Sequence, residues 1–446
     1  MQPTPGFLTL VALGSLSAAL YASILPIAAW LGVEPLAGHP FVFTALFALY
    51  LVALWLVLRR LPSTAHTLAL ILIFGLLFRT LMLTTPVYLS SDIYRYLWDG
   101  RVQWAGQNPY RYAPAAIELQ SLRDPAIHPF INRPEAVTAY PPGAQWAFAL
   151  AAGLAPGSVP GWRLVLLVTE FGTLWVLLRL LRGTRVPGTA VLAYAWSPLV
   201  VFEGVQAGHV DLLLILFVLL ALTLRRGGSS IRAGGLLGIA VLIKVYPALL
   251  VGVWWRRHDW RFPAAVGATV TLGYLPYAAT LGAGALGFLP SYFLDRREDF
   301  NVGLRALLTW GTGLSAEAPR RLAIVLLLGA VAAALVWIGR AHVRGRYDTW
   351  QATALAIGVW LVLGPFSVHP WYVLWMVPFL CVTPAPAWLY FSGAVVLSYA
   401  EYLVPSARLP WWAWLGEYGP LYALLAAGAW RKSLRPTTAP LAVRPT

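Results

Sequence analysis

The sequence predicts an all-α polytopic membrane protein with about 12 transmembrane helices, and three observations carry that prediction. Of its 446 residues, 59% are hydrophobic and 11% charged, whereas a soluble domain carries about 25% charged residues. The apolar residues gather in runs, such as 7–31, 41–58, 210–224 and 324–338, that hold almost no charge; a helix needs roughly 20 apolar residues to cross hydrocarbon. The runs are continuous rather than alternating, which favours helices over the strands of a closed barrel, the two architectures that satisfy every backbone group in lipid.

Taken in order, the first run, 7–31, follows a leader with no Lys or Arg and has a long core. It reads as a retained helix rather than a signal peptide. Further crossings are expected near 40–58, 66–83, 161–181, 188–206, 209–225, 262–281, 321–340, 350–367, 371–385, 387–404 and 418–430. Two stretches fit poorly. Residues 143–156 are too few to cross unaided, and 234–255 are interrupted by Lys244, Tyr246 and Pro247.

Arginine placement orders these segments. With the N-terminus in the cytoplasm, the inner loops hold Arg59/Arg60, Arg179/Arg182/Arg185, Arg225/Arg226/Arg232, Arg256/Arg257/Arg261 and Arg340/Arg344/Arg346, and a tail with Arg431, Lys432, Arg435 and Arg444. This obeys the positive-inside rule for a cytoplasmic (inner) membrane, with both termini inside. Both flanks of 234–255 are then cytoplasmic, so that stretch should enter and leave on one side as two short helices turning at Lys244–Pro247. The whole chain, 1–446, reads as one transmembrane domain with short re-entrant or interfacial helices and no internal repeat.

The formal net charge of +15 follows from that rule. The arginines are dispersed between apolar spans, which argues against nucleic acid as a partner. One cysteine, Cys381, closes no intrachain disulfide. No HExxH, CxxC, EF-hand or phosphate-loop spacing is present, so the sequence requires no metal, cofactor or nucleotide, although a divalent metal is compatible with it.

Two polar segments face outward in this layout. The first, 84–143, is too long for an ordinary connection and therefore reads as functional. Its Arg95, Arg101, Arg111, Arg123 and Arg133 balance Asp92, Asp99, Glu118, Asp124 and Glu135, and its many aromatics favour a folded loop. The second, 281–320, carries Asp295-Arg296-Arg297-Glu298-Asp299 and Asn301.

Candidate chemistry lies mainly at these outer ends. In Ser90-Ser91-Asp92-Ile93-Tyr94-Arg95-Tyr96-Leu97-Trp98-Asp99-Gly100-Arg101, Asp92, Arg95 and Asp99 would share one helix face. A carboxylate held by an arginine at the water–lipid boundary suits a general base; a serine or Asp92 merely capping a surface helix is an equally good reading of the spacing. Tyr140-Pro141-Pro142, Gly208-His209-Val210-Asp211 and His369-Pro370-Trp371-Tyr372 occupy other outer ends, where belt aromatics and wet polar turns are also routine. Lys244, beside Tyr246, is costly in an apolar stretch, by about 2.5–3.5 kcal/mol, and is a functional candidate on that ground. Snorkelling or pairing with a carbonyl is the competing account.

These motifs, with Asn108-Pro109-Tyr110 and Lys244-Val245-Tyr246-Pro247, run in order from about residue 80 to 380. At them the chain resembles the C-type fold (GT-C) membrane glycosyltransferases that use polyprenyl-phosphate sugars, most closely the bacterial polyprenol-phosphate-mannose-dependent mannosyltransferases (glycosyltransferase family 87-like). The resemblance implies an inverting hexosyltransferase that moves mannose from a polyprenyl phosphate to a hydroxyl of a glycan or glycolipid acceptor, outside the cytoplasm and in contact with membrane lipid. It places the catalytic acid at Asp92, with Asp99 a second candidate. Arg95, Arg101, His209 and Lys244 become candidates for the donor phosphate, and Tyr140, Asp211, Tyr246, Asn301, His369, Trp371 and Tyr372 for positioning substrate. The chain departs from the family's simplest layout by having two spans, not one, ahead of the span that leads into the first outer loop. A transporter or flippase of similar span count is the alternative reading, favoured by a broken helix at Lys244 and disfavoured by the absence of repeated halves.

Overall fold

The computed structural model describes residues 4–309, 317–404 and 409–433, with side chains as far as residue 430. Arg435 and Arg444 of the expected basic tail, and the side chains of Arg431 and Lys432, lie outside the described residues. Among the described residues every regular element is helical, with no strand. Six helices are long and apolar enough to span a bilayer: Pro5–Ala22, Pro35–Arg59, Ala65–Met82, Val159–Arg182, the helix beginning at Arg261 and Glu317–Val343. Many of their side chains point away from the protein, among them Phe41, Ile73, Val168, Leu272 and Val325. A helix that is apolar both toward its neighbours and away from them belongs in lipid. The protein is a polytopic membrane protein.

Several of the expected crossings are shorter or broken, although 418–430 lies within the 23-residue helix Trp411–Ser433. The run 7–31 is two helices meeting at Ser23. Segment 188–206 bends by 62° between Gly188–Ala195 and Val200–Gln206, the second part a wide π-type helix. Segment 371–385 holds only two four-residue helices, and 387–404 falls into three pieces. Two of these stretches are apolar because protein buries them: residues 189–212 and 367–381 are buried almost without exception. Hydropathy alone does not separate burial in protein from burial in lipid.

Segment 234–255 forms the expected pair. Ser230–Ile243 ends at Lys244, which adopts an extended backbone, and Leu249–Trp254 follows a short turn. The backbone of Phe262 lies under Gly234, Thr269 under Gly238 and Gly273 under Leu242, so Ser230–Ile243 runs parallel to the helix that begins at Arg261. The chain has therefore returned between them. Its return is fixed by Arg225, whose guanidinium donates to the Trp254 carbonyl at 2.8 Å and to Asp259 at 2.5 Å. At the far end of the same helix, Asp211 meets Lys244 at the hairpin tip. The helix Asp211–Arg226, at 1.5 Å per residue, separates foot and tip by about 20 Å.

Three further long helices among the described residues end on the foot side. The helix Pro35–Arg59 starts at the tip end, where Leu36 lines the same space as Asp92 and Lys244, and finishes at Arg59. The helix Val159–Arg182 begins near Arg163, which holds the carbonyls that end Ala65–Met82, and finishes at Arg182. Glu317–Val343 finishes with Gly339 against the backbone of Gly252, on the foot side. The arginine-rich helix ends thus gather on the face opposite Asp92.

Candidate active site

The helix Asp92–Trp104 opens segment 84–143 and packs on Pro142–Leu154. Their close approach requires Gly100, where a Cβ would lie 2.3 Å from the Phe148 carbonyl oxygen. Asp92 is the first helical residue, and its own amide is held by the Ser90 hydroxyl at 3.3 Å. Its carboxylate does not cap the helix. Instead one oxygen accepts from the Asn132 amide at 2.6 Å and the other from the Tyr140 hydroxyl at 3.2 Å. Burial raises its pKa above the ordinary aspartate value, against the opposing pull of Lys244 and of the two hydrogen bonds.

Asp92 faces a cavity of about 420 Å³, within the roughly 300–1,000 Å³ range of small-ligand sites. Arg95, Tyr140, Lys244, Tyr246, His369, Trp371 and Tyr372 line it too, so residues separated by as many as 280 positions converge on one space. Lys244 donates to Asp211 at 2.7 Å and lies 4.9 Å from the centre of the Tyr372 ring. Asp211 also accepts from the Trp375 indole at 2.8 Å, which satisfies a carboxylate that is fully buried. Asp211 therefore holds Lys244 from behind rather than facing the cavity.

The other candidates fall elsewhere. Asp99, 1% exposed, accepts from Arg95 at 2.9 Å and from Gln145 at 2.9 Å and does not line the cavity. Arg101 pairs with Asp124 and the Leu122 carbonyl, also away from it. Asn301, with φ +43°, donates to the Val368 carbonyl at 3.1 Å and to Glu417 at 2.8 Å, tying segment 281–320 to the turn before His369. His209 sits behind Asp92, its Nδ1 3.8 Å from the carboxylate. It stacks on Trp371 at 3.9 Å, Trp371 stacks on His369 at 4.2 Å, and His369 stacks on Phe300 at 4.7 Å. This pile of rings forms one wall.

Sequence reasoning passed over several lining residues: Asn132, Arg133, Tyr292, Glu298 and Tyr402. Glu298 is the most consequential. Burial pushes its pKa up to about 7, opposed by Arg133 and assisted by Asp92. Arg133 binds Glu298 at 2.5 Å and Asp295 at 3.0 Å, so the two polar segments are clamped over the cavity. The acid- and base-rich run at 295–299, beside Asn301, was the signal available for it. Among the described residues, no group of three or more His, Cys, Asp or Glu side chains is arranged to hold a metal ion.

A base-like carboxylate, cationic side chains and a sugar-sized cavity at one end of a membrane bundle suit glycosyl transfer. Residues 6–256, more than half of the chain, match the MptA_B family, alpha-(1->6)-mannopyranosyltransferase, N-terminal domain. The chain belongs to this family. It is a membrane mannosyltransferase, and the transporter reading gives way to that match. No curated protein matches the chain. The matched region of the mannosyltransferase ends just past the hairpin foot and contains Asp92, Tyr140, His209, Asp211 and Lys244. The cavity wall built from Glu298, His369, Trp371 and Tyr372 lies beyond it.

Proposed function

We propose that the protein transfers mannose from a polyprenyl-phosphate donor to a hydroxyl of a glycan or glycolipid acceptor, with inversion at C1 and Asp92 as general base. The single observation that carries this reading is the Asp92 carboxylate, which faces the cavity held only by neutral donors and opposite Lys244. The acceptor hydroxyl attacks C1 as Asp92 takes its proton; the bond from C1 to the phosphate oxygen breaks, and the phosphate leaves with the electron pair. An anionic phosphate is a good leaving group, so one base suffices and cations must sit where charge develops. Lys244, Arg95 and Arg133 line the cavity for that role. The reaction so written needs no resident cofactor.

The donor's tail has a matching surface. An apolar groove lined by Leu214, Val218, Leu250, Trp360 and Phe379 shares Tyr246 with the cavity, so headgroup and prenyl chain have adjoining places. Sidedness follows the arginines. Their concentration on the face opposite Asp92 supports an inner-membrane protein with both termini in the cytoplasm and the cavity outside. The family name supports an alpha-(1->6) product.

The test is transfer of radiolabelled mannose from a polyprenyl-phosphate mannose to membrane acceptors, comparing wild type with Asp92→Asn. Transfer by wild type alone is expected, with donor binding retained in the variant. Full activity in the variant would remove Asp92 as base, and no transfer by wild type would remove the donor class.

A further inference from the structure

Behind Asp92, away from the cavity, three buried polar atoms have no hydrogen-bond partner: Nδ1 and Nε2 of His209 and Oε2 of Glu203. They lie in line with the base. His209 Nδ1 is 3.8 Å from the Asp92 oxygen that Tyr140 also binds, and Nε2 is 3.5 Å from Glu203 Oε2. Both His209 and Glu203 are at most 1% exposed. Buried polar groups without partners are uncommon and call for a reason.

The backbone brings them together. Val200–Gln206 is a wide π-type turn, and the His209 amide closes it on the Glu203 carbonyl at 3.2 Å. Gly208 takes φ +76°, and its carbonyl accepts from the Trp162 indole at 2.7 Å. A side chain there would meet Ile93 at 2.7 Å, so the turn is locked against the helix that carries Asp92. The imidazole plane is fixed by its stack on Trp371. The other oxygen of Glu203 accepts from the Tyr399 hydroxyl at 2.7 Å.

We propose that His209 is a positioning residue for Asp92: a protonated Glu203 donates to Nε2, and Nδ1–H donates to the Asp92 carboxylate. One arrangement of protons satisfies all three orphaned atoms, and shifts of about half an ångström bring both contacts into hydrogen-bond range. A carboxylic acid on Nε2 fixes the tautomer that has its proton on Nδ1. The chain of bonds orients the base and favours its anionic form. The groups facing Asp92 from other elements, Asn132, Tyr140, Lys244 with its partner Asp211, and Glu298, stay in place throughout, as does Arg95 on its own helix.

The inference rests on Asp92 being the base, so its test has a readout that needs no turnover. Infrared titration of the Asp92 carboxyl, taken as wild type minus Asp92→Asn in detergent micelles, gives its midpoint directly. His209→Phe keeps a flat ring on Trp371 and removes the donor. The midpoint, and with it the acidic limb of kcat/KM for mannosyl transfer, is expected to rise by about one pH unit, with kcat falling about tenfold. Glu203→Leu should move the midpoint the same way, while Glu203→Gln, whose amide can still donate to Nε2, should restore it. An unmoved midpoint in His209→Phe, or equal midpoints in Glu203→Leu and Glu203→Gln, overturns the proposal. Absence of transfer with the midpoints shifted as expected would count against the proposed reaction and not against this arrangement.

Discussion

The first and second turns of the helix Asp92–Trp104 each carry an aspartate, and the two are held in opposite ways. Asp99 is locked by a guanidinium and an amide and sealed from the cavity. Asp92, 17% exposed at its side chain, is held by an amide and a phenol, with no cation in direct contact. Asp99 is committed to its partners and does not line the cavity, whereas Asp92 opens onto it, and burial raises the Asp92 pKa above the ordinary aspartate value. Seven residues on one helix thus separate an acid locked in the packing from one that opens on the cavity, and the difference lies in partners that come from residues 95, 132, 140 and 145.

The comparison breaks most sharply at Asp92. Asp92→Asn is expected to lower kcat by about 10²–10⁴, the usual contribution of a general base, as read by mannosyl transfer. The same change should not destabilise the protein. A carboxyl whose folded pKa is raised costs stability above its unfolded value, and that cost is relieved as pH falls through the raised value. The variant's thermal midpoint at neutral pH should therefore equal or exceed that of wild type. Asp99→Asn reverses the pattern. It leaves Arg95 charged and buried without its partner, a loss of roughly 3–5 kcal/mol visible as a lower midpoint in micelles.

Smaller effects sharpen the contrast. Gly100→Ala pushes the Asp92–Trp104 helix off Pro142–Leu154 and should cost about 1–3 kcal/mol, with some loss of activity as Tyr140 moves with it. Tyr140→Phe removes one neutral donor from Asp92. Its expected effect is at most about tenfold in kcat, from a hydrogen bond worth roughly 0.5–1.5 kcal/mol, with the acidic limb of the pH profile moving upward because the anion has lost a donor.

Much of this was legible in the sequence. The long straight spans announce themselves through length and absence of charge, and the same-side hairpin at 234–255 followed from arginines on both flanks. Asp92, Tyr140, His209, Asn301 and His369 were placed at outer ends, and of these Asp92, Tyr140 and His369 line one cavity while His209 and Asn301 stand behind it. Lys244 was the exception that needed a deep hairpin tip, and it has one. What local pattern did not carry was which polar residue faces the cavity and which stands behind. His209 and Asp211 flank a single turn in sequence, yet one stands behind Asp92 and the other behind Lys244. Asn132 and Glu298 reach the cavity through contacts across 40 positions or more, in segments without periodicity. The broken segments at 188–206 and 371–385 looked like crossings because the interior of this protein is as apolar as a bilayer.

The hairpin with its tip at Lys244 has a consequence for how the chain enters the membrane. Its two feet rest on one face, so it contributes nothing to the parity of crossings, and a count that treats it as a span would reverse every later loop. By the positive-inside rule, basic residues at both feet would keep those two ends on one side during insertion, so that only the apolar middle and its Lys244 tip would enter the bilayer.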